Sequence, residues 1–125
     1  MKKILILKTK NPYAYPIVYG IKKVEIIGQL KSDINLDDSI LIMNEDDLIV
    51  GEVKLQKLDY DKRADLWYKY AIDSLISYTD FNNSFSYKKH KGFALKFFKQ
   101  KKFDNPFLLK DLNIEEKNME FINEQ

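Results

Sequence analysis

Residues 20–27 read Gly-Ile-Lys-Lys-Val-Glu-Ile-Ile, and this stretch decides the prediction of the fold. Gly20 stands where a short helix is predicted to end, because glycine adopts the backbone conformations that follow a helix without steric cost. Residues 23–27 are predicted to form a strand. Lys22 and Glu25 lie three residues apart across its start. In an ideal strand their side chains point to opposite faces, whereas a bulge or a turn at Lys22 would direct both to one side.

The segments before this stretch predict a strand and a helix. Residues 3–9 are apolar on both alternating faces, which is typical of a central strand covered on both sides. Asn11 is a candidate N-cap and Pro12 a candidate first-turn residue for a short helix that ends near Gly20. Pro16 lies inside that helix and favours a kink or a 3₁₀ turn.

The segments after it show strand and helix patterns in turn. Residues 39–43 and 48–58 are predicted to form a hairpin through the polar turn at 44–47. Residues 79–89 indicate an irregular loop and residues 92–99 a strand. Asn113, with Glu116 in capping-box position, predicts a short final helix. A longer helix is predicted from Asp61, with these apolar residues packed on the sheet: Ala64, Trp67, Tyr68, Ala71, Ile72 and Leu75.

These elements together predict the fold class. Many short strands, interrupted by two helices and with almost no βαβ alternation, favour an α+β protein built on a small antiparallel β-barrel. We expect about five to six strands, with about two to three short helices on the rim. The 125 residues correspond to a single domain, residues 1–125, in which residues 113–125 form a short C-terminal helix or tail.

The composition excludes several classes of protein. The hydrophobic fraction of 45% can fill a core and the charged fraction of 32% can cover it, which predicts a soluble globular domain. No apolar run approaches the roughly 18 residues of a membrane span, and none fits a signal peptide. The absence of cysteine and the presence of one histidine, His90, argue against disulfides and metal sites. We therefore expect a cytoplasmic protein without cofactor, metal or membrane contact.

Positive charge is concentrated in one part of the chain, although the formal net charge is only +2. Residues 81–103 contain no acidic residue. Arg63 is the one arginine in the sequence, so base recognition through bidentate guanidinium contacts is disfavoured, whereas lysines suit phosphates. A basic segment of this kind is either a solvated face or a surface that binds nucleic acid. Its lysines are Lys88, Lys89, Lys91, Lys96, Lys99, Lys101 and Lys102.

Residues 20–27 resemble the signature G-x-K-x-x-E-x-R of the ASCH-domain family. Gly20, Lys22 and Glu25 match this signature, and Ile27 stands where the family usually carries arginine. An isoleucine cannot hold a phosphate as a guanidinium can. The departure implies either a different ligand or a site that has decayed.

Three later segments resemble the family in the expected order. Residues 48–53 are similar to its Gly-Glu-Val strand, residues 87–95 to its Tyr...Gly-Tyr-Ala-Ile strand, and residues 105–109 to its proline-containing closing segment. The resemblance spans about residues 3–112. It implies a PUA-like barrel with a cleft beside the G-x-K-x-x-E strand, proposed in the family to hold RNA or a nucleotide.

Eight residues are predicted to bind nucleic acid. Lys22 would contact a phosphate or a base, and Glu25 would accept a hydrogen bond from a base amine. Tyr87 would stack on a base beside the lysines that follow it, and Lys8 and Lys10 would replace the missing arginine. The alternatives are a surface ion pair, a tyrosine in the core and solvated lysines. The full set is Lys8, Lys10, Lys22, Glu25, Tyr87, Lys88, Lys89 and Lys91.

Three functions are compatible with these residues. The first is a module that binds RNA or a nucleotide, and we expect binding in preference to catalysis. The second is an enzyme, either a metal-independent ribonuclease or a modified-nucleoside amidohydrolase, with Lys22, Glu25 and His90 as catalytic candidates. One branch of the family deacetylates cytidine with a lysine, a threonine and a glutamate; here Glu25 replaces the threonine, and Asp73 or a neighbour would replace the glutamate. The third is an interaction or inhibitor protein whose basic face docks on a protein or nucleoprotein partner.

Overall fold

A computed structural model describes residues 3–83, 85 and 90–123, which form one mixed β-sheet with short helices. The helices are α1 (Ala14–Val18), α2 (Arg63–Ser74) and α3 (Tyr78–Asn83), and 3₁₀ turns lie at Leu109–Leu112 and Glu116–Asn118. The strands are β1 (Ile4–Lys8), β2 (Val24–Ile27), β3 (Ser39–Met43), β4 (Leu48–Lys62), β5 (Lys91–Leu108) and β6 (Met119–Phe121). The α+β class and the expected strand number are therefore confirmed.

The sheet is open, with the strand order β2-β5-β4-β3-β1-β6. Strand β1 is parallel to both β3 and β6, and the other pairs are antiparallel. The predicted small antiparallel barrel is therefore corrected in two respects, because the sheet is mixed and is not closed. The long strands β4 and β5 curve through three register shifts, but within the described residues the edge strands β2 and β6 do not pair with each other. The expected interior position of β1 is confirmed.

Helix α1 packs closely against the sheet and fixes the start of the segment that leads to Lys22. Its buried residues are Ala14, Ile17 and Val18. Gly51 of β4 makes this approach feasible, because a Cβ atom at that position would lie 2.6 Å from the Val18 side chain and 2.2 Å from the carbonyl oxygen of Lys101. The predicted cap at Asn11 is wrong, since the N-cap is Tyr13. The predicted glycine end is confirmed by Gly20, at φ +82°.

Helices α2 and α3 cover the edge strand β2 from the other side. Val24 and Ile26 of β2 lie in one apolar cluster with Leu66 of α2 and Phe81 of α3. The Trp67 ring also packs here, with its centroid 5.0 Å from that of Phe81. Residues 79–83 were predicted as part of an irregular loop. Aromatic packing instead holds residues 78–83 as a helix.

The face of α2 that meets the sheet differs from the predicted one. The buried residues are Leu66, Tyr70 and Ser74, which are four apart. Tyr68 and Ile72, expected to be buried, are 90% and 87% exposed. The Tyr70 hydroxyl remains hydrogen-bonded on the buried side, because it donates to Asp59 at 2.7 Å.

The C-terminal residues form a strand where a helix was expected. Asn113 adopts a left-handed conformation, with φ 53°. The 3₁₀ turn that follows leads into β6, and Met119 pairs with Ile4 of β1. The capping-box pattern at Asn113 therefore does not lead to a helix, because residues 119–121 pair with β1 near the other end of the chain.

Candidate functional site around Lys22 and Glu25

The backbone of Lys22 is held where four elements meet. Its N–H donates to the Pro16 carbonyl of α1 at 2.9 Å, and its own carbonyl accepts from the Gln100 side chain of β5 at 2.9 Å. The N–H of Lys23 donates to the Asp73 carbonyl of α2 at 2.9 Å. Strand β2 begins at the next residue. The position of Lys22 is thus fixed before its side chain makes any contact.

The Lys22 side chain is fully buried and meets Glu25. Its Nζ atom lies 3.4 Å from Oε1 of Glu25, whose side chain is 10% exposed. The same ammonium donates to the carbonyl of Ser74, the last residue of α2. A cation is favourable there, because it faces the negative end of the helix dipole and a carbonyl at the C-terminus of the helix. The turn before β2 directs both charges to one side, which is one of the two arrangements that the sequence allowed. Because both side chains are buried, the pair is not an ordinary surface ion pair.

Three further side chains close the site. The Tyr13 ring lies over Lys22, with its centroid 5.0 Å from Nζ. The Tyr13 hydroxyl donates to Oδ2 of Asp80 in α3 at 2.7 Å. Lys10 donates to Oδ1 of the same carboxylate at 3.0 Å. We call Lys10, Tyr13 and Asp80 the Asp80 clasp.

The protonation states inside the Asp80 clasp follow from these contacts. Burial raises the pKa of Tyr13, and the hydrogen bond to Asp80 raises it further. Hydrogen bonds from Tyr13 and then Lys10 lower the pKa of the Asp80 carboxyl. The hydrogen bond to Asp80 raises the pKa of Lys10. At neutral pH the clasp therefore joins a neutral phenol, a carboxylate and an ammonium.

Sequence reasoning assigned no role to Tyr13 or Asp80. Tyr13 is visible in the sequence as an aromatic residue at the start of a helix, but its partner lies 67 positions away. Asp80 falls in the segment that was interpreted mainly as a loop. No local pattern connects the two residues, so only the tertiary structure reveals the clasp.

Ile27 lies on the same face of β2 as Glu25, because side chains two residues apart share a face. It is 7% exposed and belongs to the main apolar core. Of the two lysines expected to replace the family's arginine, Lys10 joins the clasp beside Lys22. Lys8 pairs instead with Asp47, in the turn between β3 and β4, at 3.1 Å. The site therefore has an apolar side at Ile27 and a charged side at Lys10.

Two other predicted residues, His90 and Lys91, are not brought to this site. His90 and Lys91 are exposed near the first residue of β5. Lys96, the β5 partner of Val24, follows Lys91 by five positions. Five residues of strand span about 17 Å, so His90 and Lys91 lie at the far end of β2 from Lys22. Three more predicted residues, Tyr87, Lys88 and Lys89, lie outside the described residues.

The chemistry of the site is that of the Lys22 ammonium and the Glu25 carboxylate, with the apolar Ile27 on one side and the charged Asp80 clasp on the other. Lys22 contacts the carbonyl of Ser74 and the carboxylate of Glu25. Asp73, which was considered as a replacement for the glutamate of the deacetylating branch, is not the carboxylate that Lys22 contacts. Within residues 3–83, 85 and 90–123, no cluster of three histidine, aspartate or glutamate residues is arranged to hold a metal ion. No helix of that described part is long and apolar enough to cross a membrane.

Comparison with solved structures supports an ASCH-like fold. The structure is similar to the crystal structure of an ASCH protein from Zymomonas mobilis, with a TM-score of 0.78 and 20% identity over 88% of this chain and 80% of that chain. A tyrosine-to-phenylalanine variant of that protein gives a TM-score of 0.78, with 20% identity over 88% and 82% of the two chains. A serine-to-alanine variant gives 0.76, with 19% identity over 89% and 78%. No protein-family model matches the sequence, and no curated protein matches it significantly.

Proposed function

Because the chain has an ASCH-like fold, we propose that it is an RNA- or nucleotide-binding module in which Lys22 and Glu25 recognise the ligand. The observation that carries the proposal is the burial of this ion pair at two positions that match the family signature. A buried ion pair is often no more stabilising than apolar residues of similar volume. Strongly desolvated charges with a specific partner are also typical of functional sites.

Each of the two side chains has a role in this proposal. Glu25 accepts a hydrogen bond from a base amine, and Lys22 donates to a base carbonyl or a phosphate oxygen. Lys22 is covered by the Tyr13 ring, so the ligand reaches this ion pair when the Asp80 clasp opens. Lys10 is exposed and is released towards a phosphate when it leaves Asp80. The apparent affinity equals the affinity of the open state multiplied by the fraction of molecules that are open.

Binding is tested by titrating labelled single-stranded RNA, and separately nucleoside monophosphates, into the wild type and Lys22→Ala at two salt concentrations. We expect the logarithm of the RNA affinity to fall by about 0.7 per phosphate contact per decade of salt. Lys22→Ala should weaken binding, whereas Lys117→Ala removes an exposed lysine that pairs with Glu115 and should not. Glu25→Gln, which keeps the side-chain shape, provides a second variant if Lys22→Ala does not fold.

Two outcomes would contradict this function. One is salt-independent binding. The other is a folded Lys22→Ala or Glu25→Gln protein that binds RNA and nucleotides as the wild type does. A pull-down that retains a protein partner after nuclease treatment would favour the docking alternative, with a basic face that contacts protein.

A second candidate function is hydrolysis of RNA or of a modified nucleoside. The contact of 3.4 Å between the Lys22 ammonium and the Glu25 carboxylate favours it, because adjacent acid and base groups can exchange a proton with a substrate. His90 has no part in it, since it lies at the far end of β2 from Lys22. Incubation of the protein with RNA and with acylated nucleosides in EDTA tests it. Intact substrates at high protein concentration would eliminate this candidate.

A further inference from the structure

Helix α1 presents two tyrosines to solvent on the side that faces away from the core. Tyr15 is 36% exposed and Tyr19 is 59% exposed. Their ring centroids are 6.3 Å apart and their planes differ by 33°. The opposite face of α1 is buried, so these rings add little to the core. Aromatic rings displayed in this way are available to a planar ligand.

A lysine side chain lies beside the second of these rings. The Nζ atom of Lys102 lies 6.0 Å from the Tyr19 ring centroid. Lys99 and Lys101, in the same part of β5, are exposed. Gln100 joins this part of β5 to α1, because its side chain donates to the Ile17 carbonyl at 2.6 Å. Lys102 therefore lies beside the Tyr19 ring, and Lys99 and Lys101 add positive charge to the same part of β5.

We propose that Tyr15, Tyr19 and Lys102 form a stacking platform for single-stranded RNA. The bases stack on the two rings, and Lys102 contacts a phosphate that joins those bases. Stacking tolerates any base, which suits a surface that lacks arginine forks. Exposed aromatic rings among lysines match the chemistry of a polyanion that carries flat bases.

This inference deepens the proposed function and rests on it. Tyr19 precedes Lys22 by three residues, and the backbone between them is tied down at Gly20 and Lys22 by bonds to Ile17 and Pro16. A strand that reaches the Lys22 site would thus continue onto the platform. The ligand is then an RNA strand, and a free nucleotide would bind more weakly because it covers only the first site.

The experiment compares two oligomers with the same number of phosphates, one with bases and one abasic. The wild type should bind the base-bearing oligomer more tightly. Tyr19→Ala should weaken that binding by about 5- to 150-fold and leave the abasic oligomer nearly unaffected. Tyr19→Phe should retain the preference, because it keeps the ring. Lys102→Ala should reduce the salt slope by about 0.7 for both oligomers.

Tyr68→Ala is the matched control. Tyr68 is 90% exposed on α2, but its neighbour Lys69 is held by Asp59 and Asp61, each at 2.8 Å, so the surroundings do not favour a polyanion. This variant should bind both oligomers as the wild type does.

The outcomes separate the platform from the Lys22 site. Equal affinity for the two oligomers, or equal effects of Tyr19→Ala and Tyr68→Ala, would overturn the platform, while the Lys22 site would stand if Lys22→Ala still weakened binding. Loss of binding in Tyr19→Ala with none in folded Lys22 or Glu25 variants would overturn the Lys22 site alone. If polyglutamate binds as tightly as RNA and Tyr19→Ala weakens it equally, the surface binds an acidic protein and the RNA platform is wrong.

Discussion

Replacing Lys22 by methionine is expected to lower the free energy of unfolding by about 3–5 kcal/mol, the usual cost of removing one partner of a buried ion pair. The wild-type ammonium is fully buried and satisfies both Glu25 and the Ser74 carbonyl. Methionine fills a similar volume, so little of this loss comes from a cavity. The cost arises because a carboxylate and a carbonyl remain buried without their cation.

The double variant Lys22→Met/Glu25→Met should recover much of this loss. Only the Ser74 carbonyl is then left without its donor, at a cost of about 1–3 kcal/mol, and apolar contact between the two methionines offsets part of it. Urea denaturation of the wild type, both single variants and the double variant gives the coupling energy. We expect the double variant to be more stable than Lys22→Met alone. Additive effects of the two substitutions would refute the reasoning, because they would mean that the charges do not interact.

Three further substitutions test the Asp80 clasp, a surface ion-pair cluster and the packing of α1. Asp80→Ala should raise the RNA affinity by about three- to tenfold and change the fluorescence of Trp67, which packs on α3; unchanged affinity would mean that the clasp does not cover the site. The hydrogen bond from Lys69 lowers the pKa of Asp59, so its stabilisation is present above the unfolded pKa of about 4 and is lost as the pH falls through the lower folded pKa. The Tm difference between wild type and Asp59→Asn should therefore shrink as the pH falls below about 4, and a constant difference would contradict this. Gly51→Ala should destabilise the protein by about 1–3 kcal/mol in urea denaturation, because the new Cβ overlaps β5 and α1; wild-type stability would show that α1 can move away.

The parts of the fold that were predictable are those set by short-range patterns. Strand β3 occupies the predicted residues 39–43, and β1 lies within residues 3–9, because unbroken apolar runs of that length are typical of buried strands. The hairpin through residues 44–47 also follows from local turn residues. The mixed sheet did not follow, since it depends on the two parallel pairings of β1 with distant strands. Strand β6 was missed for the same reason.

The candidate site was predictable only in part. Lys22 and Glu25 lie only three residues apart in the sequence, and a turn before β2 was one of the two arrangements considered. Their burial was not foreseen, because it depends on α2 ending at Ser74 beside Lys22. The exposed face of α2 was also misplaced, since apolar periodicity does not distinguish Tyr68 from Tyr70. Contacts between distant segments thus decide which charges are buried.

The central claim, that Lys22 and Glu25 recognise RNA or a nucleotide, is tested most directly by the RNA affinity of the folded double variant Lys22→Met/Glu25→Met. Circular dichroism and urea denaturation first establish that this protein is folded, and Lys117→Ala serves as the control for loss of one charge. We predict that the double variant loses salt-dependent RNA binding although it stays folded, and that Lys117→Ala keeps it. Wild-type affinity in the double variant would contradict the claim and leave the buried ion pair as a cap for the C-terminus of α2.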